Sequence, residues 1–259
     1  MSTNKIPSMV HRLSSVWYRH FLVYTRNLIS NGLPPFLEPL IFLAGVGLGL
    51  GKFIVSMNGV PYLQYLATGL LVTSSMYTAS FECTYGTFVR LVYDKSYDGM
   101  LASPITVNDL IIGEILWAGT KGFFFSFAVL VIITVFGVIP VSWSLFAPFI
   151  GLLTGLMFAS LSLFVTSFVK TLNHFNFYMT GFLSPMFFFS GVVFPISSLP
   201  KAIQPLAEIL PLIHVVRLVR GICLNGLNLQ HFVDFAYCIL LTVIMGKLAL
   251  KRLRKRLIQ

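Results

Sequence analysis

Residues 81–121, FECTYGTFVRLVYDKSYDGMLASPITVNDLIIGEILWAGTK, set a short polar insert between two long apolar runs. The insert, 90–108, holds Arg90, Asp94, Lys95 and Asp98, and its centre reads Tyr97-Asp98-Gly99-Met100-Leu101-Ala102-Ser103-Pro104. Pro104 favours an extended exit at Ser103. An apolar pair, Met100 and Leu101, flanked by charge reads as a short surface helix that takes force from a docked soluble partner. On composition alone the same residues also suit an ordinary solvated loop.

The flanking runs decide the solvent. Hydrophobic residues make up 56% of the 259 and charged residues only 10%, with a mean hydropathy of +0.86. A soluble domain carries far more charge, so the surroundings are mostly lipid. Apolar runs fall at about 33–55, 62–89, 110–137, 143–169, 175–194 and 232–250. Each reaches the roughly 20 residues that cross about 30 Å of hydrocarbon. The net charge of +10 raises nucleic acid as a partner, but the cations cluster at the termini and in short loops, as a polytopic protein requires. With the N-terminus inside, the four cations before residue 31, then Arg90, Lys95, Lys170 and the six from Lys247 to Arg256 are cytosolic. Lys52, Lys201, Arg217 and Arg220 fall outside and Lys121 lies within a span. Both termini are therefore expected in the cytosol.

Lys5, Arg12, Arg19 and Arg26 recur every seven residues, a spacing that drifts about 20° per step on a helix. They form one basic stripe, with Ile6, Val10, Leu13, Trp17, Phe21, Tyr24 and Leu28 on another. Residues 1–31 are thus expected as an amphipathic helix in the membrane interface, cations toward lipid phosphates and cytosol. Charge interrupts its apolar residues throughout, unlike a secretory signal. The bundle should occupy 32–250, with a basic tail at 251–259 that stops transfer and holds lipid phosphate. Between spans five and six, the segment 195–230 is too apolar for a simple loop, yet carries Pro195, Pro200, Pro205 and Pro211. Two short re-entrant helices, near 199–209 and 212–223, satisfy both constraints. The fold class is all-α: six transmembrane helices, an interfacial N-terminal helix and a re-entrant pair.

Several candidate sites dissolve on inspection. Gly45-Val46-Gly47-Leu48-Gly49-Leu50-Gly51-Lys52-Phe53 is no phosphate loop, because Phe53 stands where Ser or Thr is needed. Its glycines instead suit close helix packing, and the chain has no ATP site of its own. Cys83, Cys223 and Cys238 lack a C-x-x-C spacing and read as packing residues. The five histidines show no metal-ligand spacing. No catalytic, cofactor or metal residues are expected.

Glu38, Glu82, Glu114 and Lys121 lie in or at the edges of spans. A mid-bilayer charge costs on the order of 3 kcal/mol, so such groups face protein or a cavity. Glu114 and Lys121 sit about 10 Å apart along one helix, which makes Glu82 the more natural partner for Lys121. These charges either lock helices together or line an export path. His214, Arg217 and Arg220 are about a turn apart; they either grip an anionic or sugar-bearing headgroup or anchor to outer phosphates.

With these residues in view, the chain resembles the membrane subunit of type-2 ABC exporters, in the branch of nodulation-factor (lipo-chitooligosaccharide) exporter permeases. The resemblance covers nearly the whole chain. It rests on Glu38-Pro39 with its glycine run, Phe81-Glu82-x-Thr84-Tyr85-Gly86-Thr87-Phe88, Met100-Leu101-x-x-Pro104, and Gly113-Glu114 through Trp117 to Thr120-Lys121. It continues in Ser190-Gly191-Val192-Val193-Phe194-Pro195 and in Leu210-Pro211-Leu212-x-His214 to Arg217. The resemblance implies a homodimer in a bacterial cytoplasmic membrane, working with two separate ATP-binding subunits that hold ATP and Mg. It implies that Asp98, Met100, Leu101 and Pro104 belong to the coupling helix seated in that partner, although many relatives place Glu where this chain has Asp98. The implied cargo is a lipid-linked saccharide or similar amphiphile. Competing classes are a drug-like exporter, a stand-alone transporter or channel using Glu82 and Glu114, and a lipid enzyme. The last lacks a convergent nucleophile or metal cluster.

Overall fold

The computed structural model describes residues 7–51 and 53–258, without the side chains of Pro35, Glu38, Leu48, Asn225 and Ile258. The readings of Lys5, Lys52 and the Glu38 side chain therefore lie outside the described residues. Helix α1 (Met9–Thr25) starts at Ser8, whose hydroxyl accepts from the His11 amide. A single turn, α2 (Leu28–Gly32), leads to α3 (Pro34–Phe42), which opens on prolines, where a missing donor costs nothing. A π-helical turn, Leu43–Leu48, continues it. Next comes a small antiparallel hairpin, β1 (Ser56–Met57) with β2 (Val60–Pro61). Asn58 and Gly59 turn it at φ of 50° and 79°, as a primed hairpin turn demands. The all-α expectation missed this hairpin.

Helix α4 (Tyr62–Phe81) runs on through π-helical turns at Glu82–Gly86 and Val89–Tyr93. A six-residue helix, α5 (Ser96–Leu101), precedes the long α6 (Val107–Val135). The rest comprises α7 (Ala147–Thr166), α8 (Phe175–Tyr178), α9 (Ser184–Phe189), α10 (Gln204–Ala207), α11 (Pro211–Arg220) and α12 (Leu229–Ile258). Three stretches among the described residues are single helices long and apolar enough to cross a membrane: Val107–Val135, Trp143–Thr166 and Leu229–Leu257. The other apolar runs are helical but broken, by Pro39 within α3, by Pro185 at the start of α9 and by π-helical turns. In the segment 195–230 the first expected helix shrinks to the four residues of α10, because Pro200 and Pro205 remove the donors a longer helix needs.

Large apolar side chains such as Trp143, Val135 and Phe232 are exposed on the outside, while ion pairs lie inside. That inversion is what a lipid-embedded chain requires. The tightest packing is between α6 and α7. A Cβ on Gly122 would sit 2.8 Å from the Gly151 carbonyl oxygen and 3.0 Å from the Gly155 Cα. Small residues at these positions let two backbones touch. Of the glycine run at 45–51, expected to do the same, Gly47 packs against Leu63 of α4 so closely that a Cβ would collide with Leu63 Cδ1, whereas Gly45 and Gly49 face open space.

Candidate functional site

The insert is a helix with two unlike faces. Lys95 turns the chain in a left-handed conformation (φ 48°), and α5 follows. Tyr97 and Met100, one turn apart, point inward and are buried, whereas Asp98, Gly99, Ala102, Ser103 and Pro104 are exposed and Leu101 is half-buried. Met100 therefore holds α5 to the bundle instead of facing a partner, a correction to the expected docking pair. Burial, aided by the Glu114 carboxylate, pushes the Tyr97 phenol well up. It stays protonated and donates to Glu114 Oε1 at 2.7 Å.

Glu114 and Glu82 anchor a cluster beneath that contact. Arg90 donates through Nη2 to Glu114 Oε2 (2.7 Å) and through Nη1 to Glu82 Oε1 (2.8 Å). Lys121 Nζ donates to Glu82 Oε2 at 2.8 Å, which is the pair the sequence suggested. His20 Nε2 lies 2.9 Å from Glu114 Oε1. Each carboxylate oxygen thus meets at least one donor group, the condition under which buried charge is tolerated. Arg90 was expected in the solvated insert. It turns inward because α4 continues as a helix to Tyr93 and carries Arg90 over Glu82 and Glu114.

Helix α1 packs on α6 rather than floating beside it. Arg12 Nε donates to Asp109 Oδ2 (2.7 Å), and Val16 fills the space over Gly113. Trp17 Nε1 donates to Thr120 Oγ1 (3.0 Å) and His20 stacks on Trp117. Arg12 is thereby removed from the lipid-facing stripe; Arg26 remains exposed and Arg19 half-exposed. The cause is Asp109. It closes a capping box with Thr106 at the start of α6 and still accepts from Arg12. His20, Tyr97, Arg90 and Asp109 were all missed as site residues.

His20, Glu82 and Glu114 bring possible ligand atoms within 4.8 Å of one another. The donor set does not fit a metal, since Arg90 and Lys121 already neutralise both carboxylates at contact distance.

At the opposite end of the bundle, His214, Arg217 and Arg220 face protein. His214 Nδ1 lies 2.6 Å from Asp234 Oδ1, and Arg217 pairs with Glu208 and with Asp234 Oδ1 (3.3 Å). The Arg220 guanidinium sits 3.6 Å over the Tyr65 ring and donates to the carbonyls of Tyr65 and Val192. Glu208, Asp234 and backbone carbonyls partner all three, a pairing that neither headgroup reading foresaw. A polar cavity of about 540 Å³ lies beside them.

Apolar side chains outward and ion pairs inward make this a helical membrane bundle. Residues 11–224 match the family model described as ABC-2 type transporter, and the chain belongs to that family. It is 36% identical over 211 residues to Nodulation protein J of Sinorhizobium fredii, covering 82% of this chain and 80% of that one. Nodulation protein J of Rhizobium meliloti is 35% identical over 212 residues, covering 82% and 81%. The Inner membrane transport permease YadH of Escherichia coli is 22% identical over 204 residues, covering 79% of each. The chain is a permease of the Nodulation protein J branch, a transport subunit and not an enzyme.

Proposed function

We propose that the chain is the membrane half of an ATP-driven exporter in the bacterial cytoplasmic membrane. Two copies pair, and two separate ATP-binding subunits supply ATP and Mg. The single observation that carries this reading is the two-faced α5. Its exposed side (Asp98, Gly99, Ala102, Ser103, Pro104) is open to a partner, and its buried side reaches Glu114 through Tyr97. Movement of a docked subunit would reach α4, α6 and α1 through the Glu82–Arg90–Glu114 cluster. The six apolar runs support six spans, with α5, the N-terminal helix and the C-terminal end of α12 on the cytosolic side. Consistent with one shared end, Arg12 meets Asp109 while Arg256 lies over Phe88, two residues before Arg90.

The cargo in this reading is an amphiphilic, saccharide-type lipid. A cleft of about 410 Å³ lined by Ser74, Tyr77, Thr78, Phe81, Lys121 and Phe125 offers hydroxyls beside aromatic rings at membrane depth, a surface suited to a sugar with an apolar tail. The test is co-purification. Wild-type protein should bring down an ATP-binding subunit, and Asp98→Lys with Ser103→Arg should lose it while remaining folded. Transport by the purified chain alone in liposomes would overturn the reading.

A further inference from the structure

The cations near the C-terminus differ from those inside the bundle. Arg256 is fastened: it donates to the Thr166 carbonyl oxygen (2.7 Å) and lies over the Phe88 ring. Lys251, Arg252 and Lys255 are exposed, and among the described residues none of the three has an acidic partner. Only the Phe168 ring, 4.5 Å from the Arg252 guanidinium, steadies that side chain. With Leu248 and Phe164 the three cations line an open cleft of about 390 Å³ between α7 and α12.

The face of α12 above the cleft continues it. Leu240, Ile244, Leu248, Lys251 and Lys255 follow helical spacing along one side. Leu240, Ile244 and Leu248 are exposed and apolar. One strip thus passes from hydrocarbon-compatible to cationic within two turns. Near a helix C-terminus the carbonyl ends amount to about half a negative charge, which three full cations outweigh.

We infer that this cleft is a binding site for an anionic glycerophospholipid. Lys251, Arg252 and Lys255 hold the phosphate, and one acyl chain lies along Phe164, Leu248, Ile244 and Leu240. A free anion would leave the apolar wall uncovered, and so would an acidic protein segment.

Native mass spectrometry of the detergent-purified full chain tests the site. It is titrated with phosphatidylglycerol, with phosphatidylcholine of the same acyl chains, and with inorganic phosphate. Phosphatidylglycerol should bind preferentially. Lys251→Gln/Arg252→Gln/Lys255→Gln should cut that preference by roughly tenfold or more, since each interfacial cation contributes roughly fivefold. The charge-matched control Lys95→Gln/Lys170→Gln/Lys201→Gln, at exposed lysines away from the three cations of the cleft, should retain it. Equal binding of the two lipids, or equal loss in both triple variants, overturns the site. Phosphate binding as tightly as phosphatidylglycerol assigns the cleft to a free anion. Loss of lipid when an ATP-binding subunit co-purifies assigns it to protein. Either outcome also overturns the inference.

Discussion

The two ends of the bundle both bury ionised groups, and they use them differently. At the α11–α12 end, Asp234 of α12 gathers His214 and Arg217 of α11, and Arg217 also takes Glu208. That network joins two neighbouring segments and closes on itself. At the other end, Glu82 and Glu114 join α1, α4, α5 and α6 through His20, Arg90, Lys121 and Tyr97. The difference lies in what is attached. The α11–α12 network holds a broken, proline-rich segment in place, whereas the Glu82–Glu114 cluster carries α5, a short helix with one side exposed. In the reading proposed above, buried charge of the same chemistry is a lock in the first case and a linkage in the second.

The largest expected effect separates the two ends by stability. Arg90→Leu removes the cation that Glu82 and Glu114 share, leaving Glu82 with Lys121 alone and Glu114 with Tyr97 and His20, and breaking a buried pair costs about 3–5 kcal/mol. The variant should fail to accumulate as folded protein in detergent by size-exclusion chromatography. Arg217→Leu should cost less, about 1–2 kcal/mol, because His214 still meets Asp234. Equal losses at the two ends would break the contrast.

Lys121→Ala sits between these. Glu82 keeps Arg90 when Lys121 is gone, so a loss of about 1–3 kcal/mol is expected, read as a lower thermal midpoint in detergent. An effect as large as that of Arg90→Leu would mean that Lys121, not Arg90, holds the cluster. Asp234→Asn should lower stability by a similar amount while leaving transport per ATP unchanged, as a lock requires. Uncoupling in that variant would place the linkage at the wrong end.

The smallest stability effect belongs to Asp98→Lys. Its side chain is exposed, and surface changes usually stay within about 0.5 kcal/mol. The thermal midpoint should hardly move, while the amount of co-purifying ATP-binding subunit should fall.

Much of this was legible in the residues. The apolar runs became helices, the seven-residue spacing at the N-terminus became α1, and Lys121 met Glu82. The remainder failed for identifiable reasons. Which face of α5 turns inward follows from Tyr97 and Met100 lying three residues apart on one side, a signal passed over when Met100 and Leu101 were taken as the docking pair. Thr106-x-x-Asp109 spelled a capping box, yet that Asp109 also takes Arg12 depends on α1 docking on α6, which no local pattern encodes. Arg90 and His20 reach Glu114 only because separate helices converge. The glycine contact of 119 and 122 with 151 and 155 was hidden because glycines outside a run draw no attention, while the run at 45–51 does.

The central claim is that Tyr97 passes movement from α5 to Glu114. Tyr97→Phe removes one hydrogen bond to a charged acceptor, worth about 1.5–3 kcal/mol, and keeps the ring that packs in the core. Reconstituted with its ATP-binding subunits, this variant should bind them and hydrolyse ATP, while cargo moved per ATP falls severalfold. Wild-type transport per ATP in Tyr97→Phe, with the partner bound, would contradict the account.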